Sequence, residues 1–271
     1  MPELPEVETT LAGIKPHCLG ETIVEVQVYQ NKLRWPVPSN LNKFIQNQSI
    51  SAISRRGKYL LLTIGSGTLI IHLGMSGKLR IVEKQTPRQK HDHVQFLLSN
   101  NQWIRFNDPR RFGCILYTEE NPMSHPLLRD LGPEPLTDAF TGDILYQQSK
   151  SRRIPVKQFI MDSRIVVGVG NIYANEALFA SHIDPRRQTN KIAASRYQLL
   201  AAKIKEILTQ AIATGGTTLK DFLNPEGKAG YFVQQLKVYG RDGEPCFICN
   251  KPLVLATLGG RTTVFCTTCQ H

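Results

Sequence analysis

Short apolar runs follow one another in the first half of the chain, after an opening segment whose apolar residues have a helical period. Val7, Leu11 and Ile14 recur at helical intervals and predict a first helix, with Pro5 in its first turn. The short apolar runs that follow are separated by turn residues, as is typical of strands. These runs cover residues 22–29, 58–64, 67–73, 77–83, 93–98 and 102–107. Many short strands joined by tight turns favour a β-sandwich or a barrel.

In the second half, the apolar positions change to helical spacing. They predict helices over residues 154–162, 171–181 and 192–213, and Gly215-Gly216 ends the last of them. The stretch Gly132-Pro133-Glu134-Pro135 separates the two patterns and is typical of a linker. We therefore predict an α+β protein of two domains, a β-sandwich with an opening helix followed by a helical domain.

The composition is that of an ordinary globular protein, because 41% of the 271 residues are hydrophobic and 20% are charged. No apolar run is long enough to span a bilayer, and the acidic N-terminus is unlike a signal peptide. We therefore expect a cytoplasmic, nucleoid-associated protein that has no membrane partner.

Charge is distributed unevenly along the chain. The net charge is +11, but residues 1–149 contribute only +2, from 16 basic and 14 acidic residues. Residues 150–271 contribute +9, from 17 basic and 8 acidic residues. A basic half joined to a nearly neutral half suggests that the second domain binds a polyanion such as nucleic acid. A solvated basic face is the alternative.

Four cysteines near the C-terminus have the spacing of a zinc ribbon. Cys246 and Cys249 are followed, after sixteen residues, by Cys266 and Cys269. Four thiolates make a closed tetrahedral site, which is structural because no coordination position stays open for water. Two disulfides or four unrelated cysteines are the alternatives, and a reducing compartment disfavours the disulfides. The hairpin between the two cysteine pairs would present Arg261 near its tip.

The N-terminus offers a nucleophile. If Met1 is removed, Pro2 carries a free secondary amine, and a nearby helix N-terminus increases the unprotonated fraction of that amine. Secondary amines attack aldehyde-level carbons and give a cationic iminium. Glu3 is placed to move protons in such a reaction. The alternative is a helix cap that has no chemical role.

A glycine-rich turn precedes one predicted helix. Residues 167–171 allow close backbone approach, and Asn171 is predicted to cap the helix that follows. Amides at a helix N-terminus can hold a phosphate, although such a turn is often only a turn. Arg152, Arg153 and Lys157, expected on the preceding helix, strengthen the phosphate interpretation.

Several other positions have two interpretations. His72 ends a predicted strand and either binds a phosphate or packs in the core. Residues 91–93 resemble a metal-binding pair of histidines, but no further ligand is evident and we reject a metal site there. Lys58 follows a basic run that is typically solvated. Phe112 suits either core packing or a wedge between bases.

Taken together, these residues resemble the formamidopyrimidine-DNA glycosylase family, the bacterial enzymes that repair oxidised purines. The resemblance covers essentially the whole chain, and several long motifs occur in the family's order. Its motifs lie at residues 2–9, 72–77, 108–113, 167–173 and 238–241 and at the four cysteines.

The resemblance implies an N-terminal catalytic β-sandwich over residues 1–132 and a linker with the start of the helical domain over 133–150. It further implies a helix–two-turn–helix DNA-binding domain with a lesion-capping loop over 151–236, and a four-cysteine zinc finger β-hairpin over 237–271. One structural zinc ion is the implied cofactor. DNA would lie in the cleft between the domains, and we expect a monomer.

The resemblance also assigns roles to single residues. Pro2 would attack the deoxyribose C1′ and Glu3 would supply a proton, with Lys58 and Arg261 assisting as proton donors or phosphate-positioning residues. Met75, Arg110 and Phe112 would fill the gap that a flipped nucleotide leaves. The implied DNA contacts are His72, His91, Arg110, Arg153, Lys157 and Asn171, and Glu6 and Lys220 would recognise the damaged base in or near a loop over residues 217–231.

The implied activity is excision of 8-oxoguanine and formamidopyrimidines from double-stranded DNA, followed by β- and δ-elimination at the abasic site. Two alternatives stay open. An endonuclease VIII-like enzyme shares the Pro-Glu start, the helical unit and the zinc finger but prefers oxidised pyrimidines. A DNA-binding zinc protein without catalytic activity would share the charge pattern and the cysteines.

Overall fold

The computed structural model describes residues 2–216 and 232–271. These residues form two compact units. One unit comprises residues 2–129 with 214–216, and the other comprises residues 130–213 with 232–271. Within the described residues, no helix has both the length and the apolar character needed to cross a bilayer.

The first unit is a β-sandwich with an opening helix. Its elements are α1 (Leu4–Cys18), β1 (Ile23–Val28), α2 (Leu41–Ile45), β2 (Ile50–Arg56), β3 (Tyr59–Ile64), β4 (Gly67–His72), β5 (Lys78–Glu83), β6 (Asp92–Leu98), β7 (Gln102–Asn107), β8 (Cys114–Thr118) and a 3-10 turn (Pro122–Ser124). The strands form two four-stranded antiparallel sheets, with the orders β1-β6-β7-β5 and β2-β3-β4-β8.

One apolar core joins the two sheets and α1. Val7 and Ile14 of α1 are fully buried in it, together with Phe96 of one sheet and Leu62 of the other. Burying this much apolar surface is the main stabilising contribution to such a unit. The predicted core face of the first helix and the predicted sandwich are therefore confirmed.

The second unit is helical and ends in a two-stranded hairpin. Two of its helices differ in burial. The helix at Ala194–Ala213 (α6) buries one face, whereas nearly all of the helix at Asn171–Ala180 (α5) is buried. Its elements are α3 (Gly142–Ser149), α4 (Val156–Met161), α5 (Asn171–Ala180), a 3-10 turn (Thr189–Lys191), α6 (Ala194–Ala213), a 3-10 turn (Phe232–Gln235), β9 (Val254–Leu258) and β10 (Arg261–Phe265).

Some local expectations differ from the structure. Strand β2 was not predicted, because its polar end Ser54-Arg55-Arg56 interrupts the apolar pattern. Lys58 lies in the turn between β2 and β3 rather than at the start of a strand. Helix α4 begins at Val156, so Arg152 and Arg153 precede it. The cap of α5 is Gly170 in an extended conformation, and Asn171 is the first helical residue instead of the cap.

Candidate active site and metal centre

The N-terminal residues are held by the first turn of α1. Glu3 is the N-cap, and its backbone N–H donates to Glu6 Oε2 at 2.8 Å, while the Glu3 side chain accepts from the Glu6 backbone in a reciprocal capping box. Pro2, Glu3 and Glu6 are all buried. A buried carboxylate at a helix N-terminus is stabilised by the amides and the helix dipole, so the opening motif has a fixed geometry.

Gly216 lies beside Glu6. Its backbone has φ +79°, and a Cβ at this position would stand 3.0 Å from Glu6 Oε1. The chain therefore passes next to the capping box immediately before residues 217–231. The predicted lesion-capping loop, with Lys220, falls on those residues and lies outside the described ones.

The β2–β3 turn carries Lys58 at the same end of the sandwich. Arg55 ties this end of β2 to α1, because its Nε donates to Glu8 Oε2 at 2.5 Å and its guanidinium donates to the Gly57 carbonyl at 2.9 Å. Tyr59, the first residue of β3, pairs with His72 at the end of β4, and their rings lie 4.7 Å apart. Lys58 and His72 therefore lie close together, at the end of the sheet where β3 begins and β4 ends.

His72 is held as a neutral imidazole. Burial, together with the positive charges of Lys58 and Arg34, lowers the pKa of the His72 side chain from 6.5 to about 4. Its Nδ1 accepts the Gly74 N–H at 3.0 Å, so the ring proton resides on Nε2. Nε2 is therefore the atom that can donate to a phosphate oxygen.

The three residues predicted to fill a gap lie on two neighbouring loops. Met75 belongs to the β4–β5 loop, and Arg110 and Phe112 belong to the β7–β8 loop. The Arg110 guanidinium lies 4.7 Å from the centre of the Phe112 ring, and 43% of Phe112 is exposed. Phe112 is therefore a presented side chain and not part of the core.

His91 lies at the same end of the other sheet. Its carbonyl accepts the Asp108 N–H at 3.1 Å, and its φ of +73° is in the left-handed region. The Asp92 carboxylate accepts hydrogen bonds from Arg80 at 2.6 Å and from Asn107 at 2.8 Å. His93 Nε2 contacts the Asp108 carbonyl at 2.8 Å. Asp92 and His93 therefore have structural roles within the sandwich, whereas the ring of His91 is half-exposed.

The four cysteines of the second unit converge on one point. Their sulfur atoms all lie within 4.8 Å of one another, with 3.9 Å between Cys246 and Cys269 and 3.4 Å between Cys249 and Cys266. Tetrahedral zinc with thiolate bonds of ~2.3 Å separates its ligands by ~3.8 Å. The set therefore fits one tetrahedral metal ion, and the separations are too long for disulfides.

The hairpin of this finger is fastened to α4 and α5. Lys157 Nζ donates to the Thr262 carbonyl at 2.7 Å and to Thr263 Oγ1 at 2.8 Å. The Val264 N–H donates to Asn175 Oδ1 at 2.9 Å. Arg261, the first residue of β10, is exposed directly after the Gly259-Gly260 turn. These hydrogen bonds hold the backbone of β10 in place, and with it the position of Arg261.

The structure places Lys157 in the interior, although the sequence predicts it as a DNA contact. Only 1% of Lys157 is exposed, and its ammonium donates to the hairpin. A lysine that is almost fully buried needs such partners, because an unpaired buried charge is costly. Arg153, four residues earlier, is exposed. Lys157 and Arg153, which the sequence predicts to act alike, therefore differ in the structure: Lys157 is buried and Arg153 is exposed.

Helix α5 connects the glycine turn to the finger. Asn171 Oδ1, at its first turn, is buried and has no hydrogen-bond partner among the described residues. Glu176 accepts the backbone N–H groups of Lys237 and Tyr239 at 2.8 Å and that of Val238 at 3.0 Å. Burial raises the pKa of the Glu176 carboxyl, and these three N–H groups oppose the rise. The sequence gives no sign of this role of Glu176, since a single glutamate in a helix forms no pattern.

Comparisons with known proteins agree along the whole chain. Residues 1–115 match the model of the formamidopyrimidine-DNA glycosylase N-terminal domain, and residues 131–223 match that of its H2TH domain. The formamidopyrimidine-DNA glycosylase of Alteromonas mediterranea is 55% identical over 272 residues, covering 100% of both chains.

Solved structures give the same result. A Thermus thermophilus protein is 36% identical with a TM-score of 0.90, covering 99% of this chain and 98% of the other. A Lactococcus lactis protein bound to DNA containing N7-benzyl-Fapy-dG is 33% identical with a TM-score of 0.92, and 100% of each chain is covered. Another Lactococcus lactis complex, 32% identical with a TM-score of 0.92 and full coverage of both chains, holds DNA containing an oxidised pyrimidine. This chain therefore belongs to the formamidopyrimidine-DNA glycosylase family and is a DNA glycosylase of base-excision repair.

Proposed function

We propose that this protein removes oxidised purines from duplex DNA through a covalent bond to Pro2 and then cleaves the strand at the abasic site. The observation that carries the proposal is the buried Pro2-Glu3 start, held by the capping box with Glu6. A chain terminus normally frays, so a terminus fixed in this way is suited to present an amine with defined geometry.

The chemistry requires removal of Met1. The free Pro2 nitrogen then bonds to C1′ while the bond from C1′ to the base breaks, and the electron pair leaves with the base. The departing base takes up a proton from solvent. The proton left on the Pro2 nitrogen passes through the Glu3 carboxylate to the ring oxygen, which opens the sugar and leaves an iminium between Pro2 and C1′. Loss of a C2′ proton expels the 3′ phosphate, and a second elimination expels the 5′ phosphate. Lys58 and Arg261 are proposed to donate protons or to position these phosphates.

DNA binding is proposed to rest on phosphate contacts and on gap filling. Each proposed contact to the DNA backbone stands in a loop or at the end of a strand or helix of its unit. These contacts are His72 Nε2, His91, Arg110, Arg153 and Asn171. Phosphate contacts give affinity that does not depend on sequence, which an enzyme searching for rare lesions needs. Met75, Arg110 and Phe112 would replace the extruded nucleotide and offset part of the unstacking cost.

Zinc is the proposed metal of the four-cysteine site. Four thiolates close the coordination sphere, so the ion supplies folding energy and no reaction step. With the finger folded, Lys157 and Asn175 hold β10 and Arg261 in place.

The deciding experiment is borohydride trapping on DNA that contains an abasic site. The mature protein should cross-link covalently, whereas a variant retaining one extra N-terminal residue should not, because its Pro2 nitrogen is an amide. Robust trapping by the extended variant would exclude Pro2. Absence of trapping by the mature protein would favour a DNA-binding protein without catalysis.

Substrate class is tested by nicking of duplexes that carry 8-oxoguanine or thymine glycol. We expect preference for 8-oxoguanine, because similar proteins are named for formamidopyrimidine, which like 8-oxoguanine is an oxidised purine. Preference for thymine glycol would support an endonuclease VIII-like activity instead.

A further inference from the structure

Asp108 belongs to the β7–β8 loop and contacts the β4–β5 loop, and the proposed function gives it no task. It is a fully buried carboxylate. Its Oδ1 accepts from Ser76 Oγ at 2.7 Å, and its Oδ2 accepts from the Gly113 N–H at 2.8 Å. A buried carboxylate is costly unless its oxygens are hydrogen-bonded, so Asp108 depends on these two bonds.

The topology explains what these bonds connect. The β4–β5 loop passes from the sheet containing β4 to the sheet containing β5, and the β7–β8 loop returns in the opposite direction. Ser76 belongs to the first crossover and Asp108 to the second. Ser76 Oγ also accepts the Arg110 N–H at 3.3 Å. One hydroxyl and one carboxylate therefore join Met75's loop to the loop of Arg110 and Phe112.

The two crossovers also touch through their backbones. A Cβ on Gly74 would stand 2.4 Å from the Gly113 nitrogen and 2.4 Å from the Phe112 carbonyl carbon. A Cβ on Gly113 would stand 2.5 Å from the His72 carbonyl oxygen. Glycine at both positions permits this approach, and the Gly74 φ of +65° favours glycine as well. The loops are thus packed as one body.

We propose that Asp108 and Ser76 form a clamp, the Asp108–Ser76 clamp, that fixes Met75 relative to Arg110 and Phe112 so that all three enter one gap in the duplex. This inference rests on the proposed function, since it assumes that these side chains replace a flipped nucleotide. Asp108 and Ser76 are positioning residues and touch no reacting atom. Pre-organised side chains lose less entropy on insertion, so loosening the clamp slows extrusion of the base.

Two substrates separate this role from general damage to the fold. A duplex with a lesion has an orphaned base and a gap to fill, whereas a single strand with an abasic site has neither. Ser76→Ala should lower single-turnover excision from the duplex about ten-fold, the loss expected for one buried hydrogen bond. Its cleavage of the single-stranded abasic site should be unchanged.

Three variants complete the design. Asp108→Asn should retain most activity, because an amide can accept from Gly113 and donate to Ser76 Oγ. Ser66→Ala removes an exposed hydroxyl bonded to Glu119 and should behave as the parent on both substrates. In a Met75→Ala, Phe112→Ala background, Ser76→Ala should cost little more, since two of the three side chains that the clamp positions are already gone.

The outcomes distinguish the two proposals. Parent protein that cleaves neither substrate would refute the proposed function itself. Parental excision from the duplex by Ser76→Ala, or an equal loss on both substrates, would refute the clamp alone. So would a full ten-fold loss from Ser76→Ala in the background that lacks Met75 and Phe112.

Discussion

The burial of Lys157 leads to a prediction that this basic residue stabilises the second unit, whereas the exposed Arg153 binds DNA. Lys157→Met keeps an apolar side chain of similar length but removes the ammonium. The Thr262 carbonyl and Thr263 Oγ1 then lose a charged donor, and Thr263 is fully buried. Hydrogen bonds to charged groups contribute ~1.5–3 kcal/mol each, and removal of the buried charge recovers part of its desolvation cost. We expect a net loss of about 2–4 kcal/mol in the stability of the second unit.

Arg153→Met is the matched control, because Arg153 is exposed and lies four residues earlier. Urea unfolding and the rate of zinc release to a chelator measure the first effect, and salt-titrated DNA binding measures the second. Lys157→Met should unfold at lower urea and release metal faster, with an unchanged salt slope. Arg153→Met should keep the parent's stability but flatten the slope of log affinity against log salt by ~0.9. A flattened slope with intact stability in Lys157→Met would refute this account and restore Lys157 as a phosphate contact.

Three further predictions address the metal, the proton donor and the neutral histidine. Cys249→Ser should lower zinc content and DNA affinity while sparing the unfolding of the sandwich, and full zinc occupancy would contradict the four-thiolate site. Glu3→Gln should bind DNA with near-normal affinity and salt slope but lose ~10²–10⁴-fold in single-turnover excision, so excision at the parent rate would exclude Glu3 as the acid. The folded pKa of His72 is about 4 against 6.5 unfolded, so its contribution to stability is complete above pH 6.5 and is lost as the pH falls toward 4. His72→Gln should therefore show a smaller fall in unfolding free energy between these pH values, and a fall as steep as the parent's would exclude a neutral buried imidazole.

The sequence predicts those parts of the fold in which one physical signal dominates. Strand β7 was predicted with its observed bounds, because a short apolar run between turn residues is typical of a strand, and its four central residues are buried. The cysteine spacing likewise predicts the cluster, since tetrahedral ligation constrains it. Strand β8 was not predicted, as only two of its five residues are buried and a loop precedes it. The domain boundaries, the roles of single site residues and the monomeric state stay predictions.

The candidate site is less predictable where long-range contacts decide a residue's role. Lysine is normally exposed, so nothing local distinguishes Lys157 from Arg153. Asp108 belongs to a motif of charged residues that is easily interpreted as a DNA-contacting loop. Its burial follows from Ser76, 32 residues away in the chain, which only the pairing of sheets brings near. Contacts of this kind leave no periodic pattern and no characteristic residue spacing in the sequence, so they cannot be predicted from it.

The nearly complete burial of α5 has a consequence for how this protein tolerates mutation. Eight consecutive residues, 172–179, are buried, so the helix has no solvent-facing side on which neutral changes can accumulate. Helix α6 instead buries only one face, which includes Tyr197, Leu200 and Ile204, and leaves its other residues partly or fully exposed. In a saturation-mutagenesis survey, α5 should form an unbroken intolerant block, whereas α6 should alternate between sensitive and permissive sites. Neutral substitutions in this protein are therefore expected to accumulate on α6 and to be rare on α5.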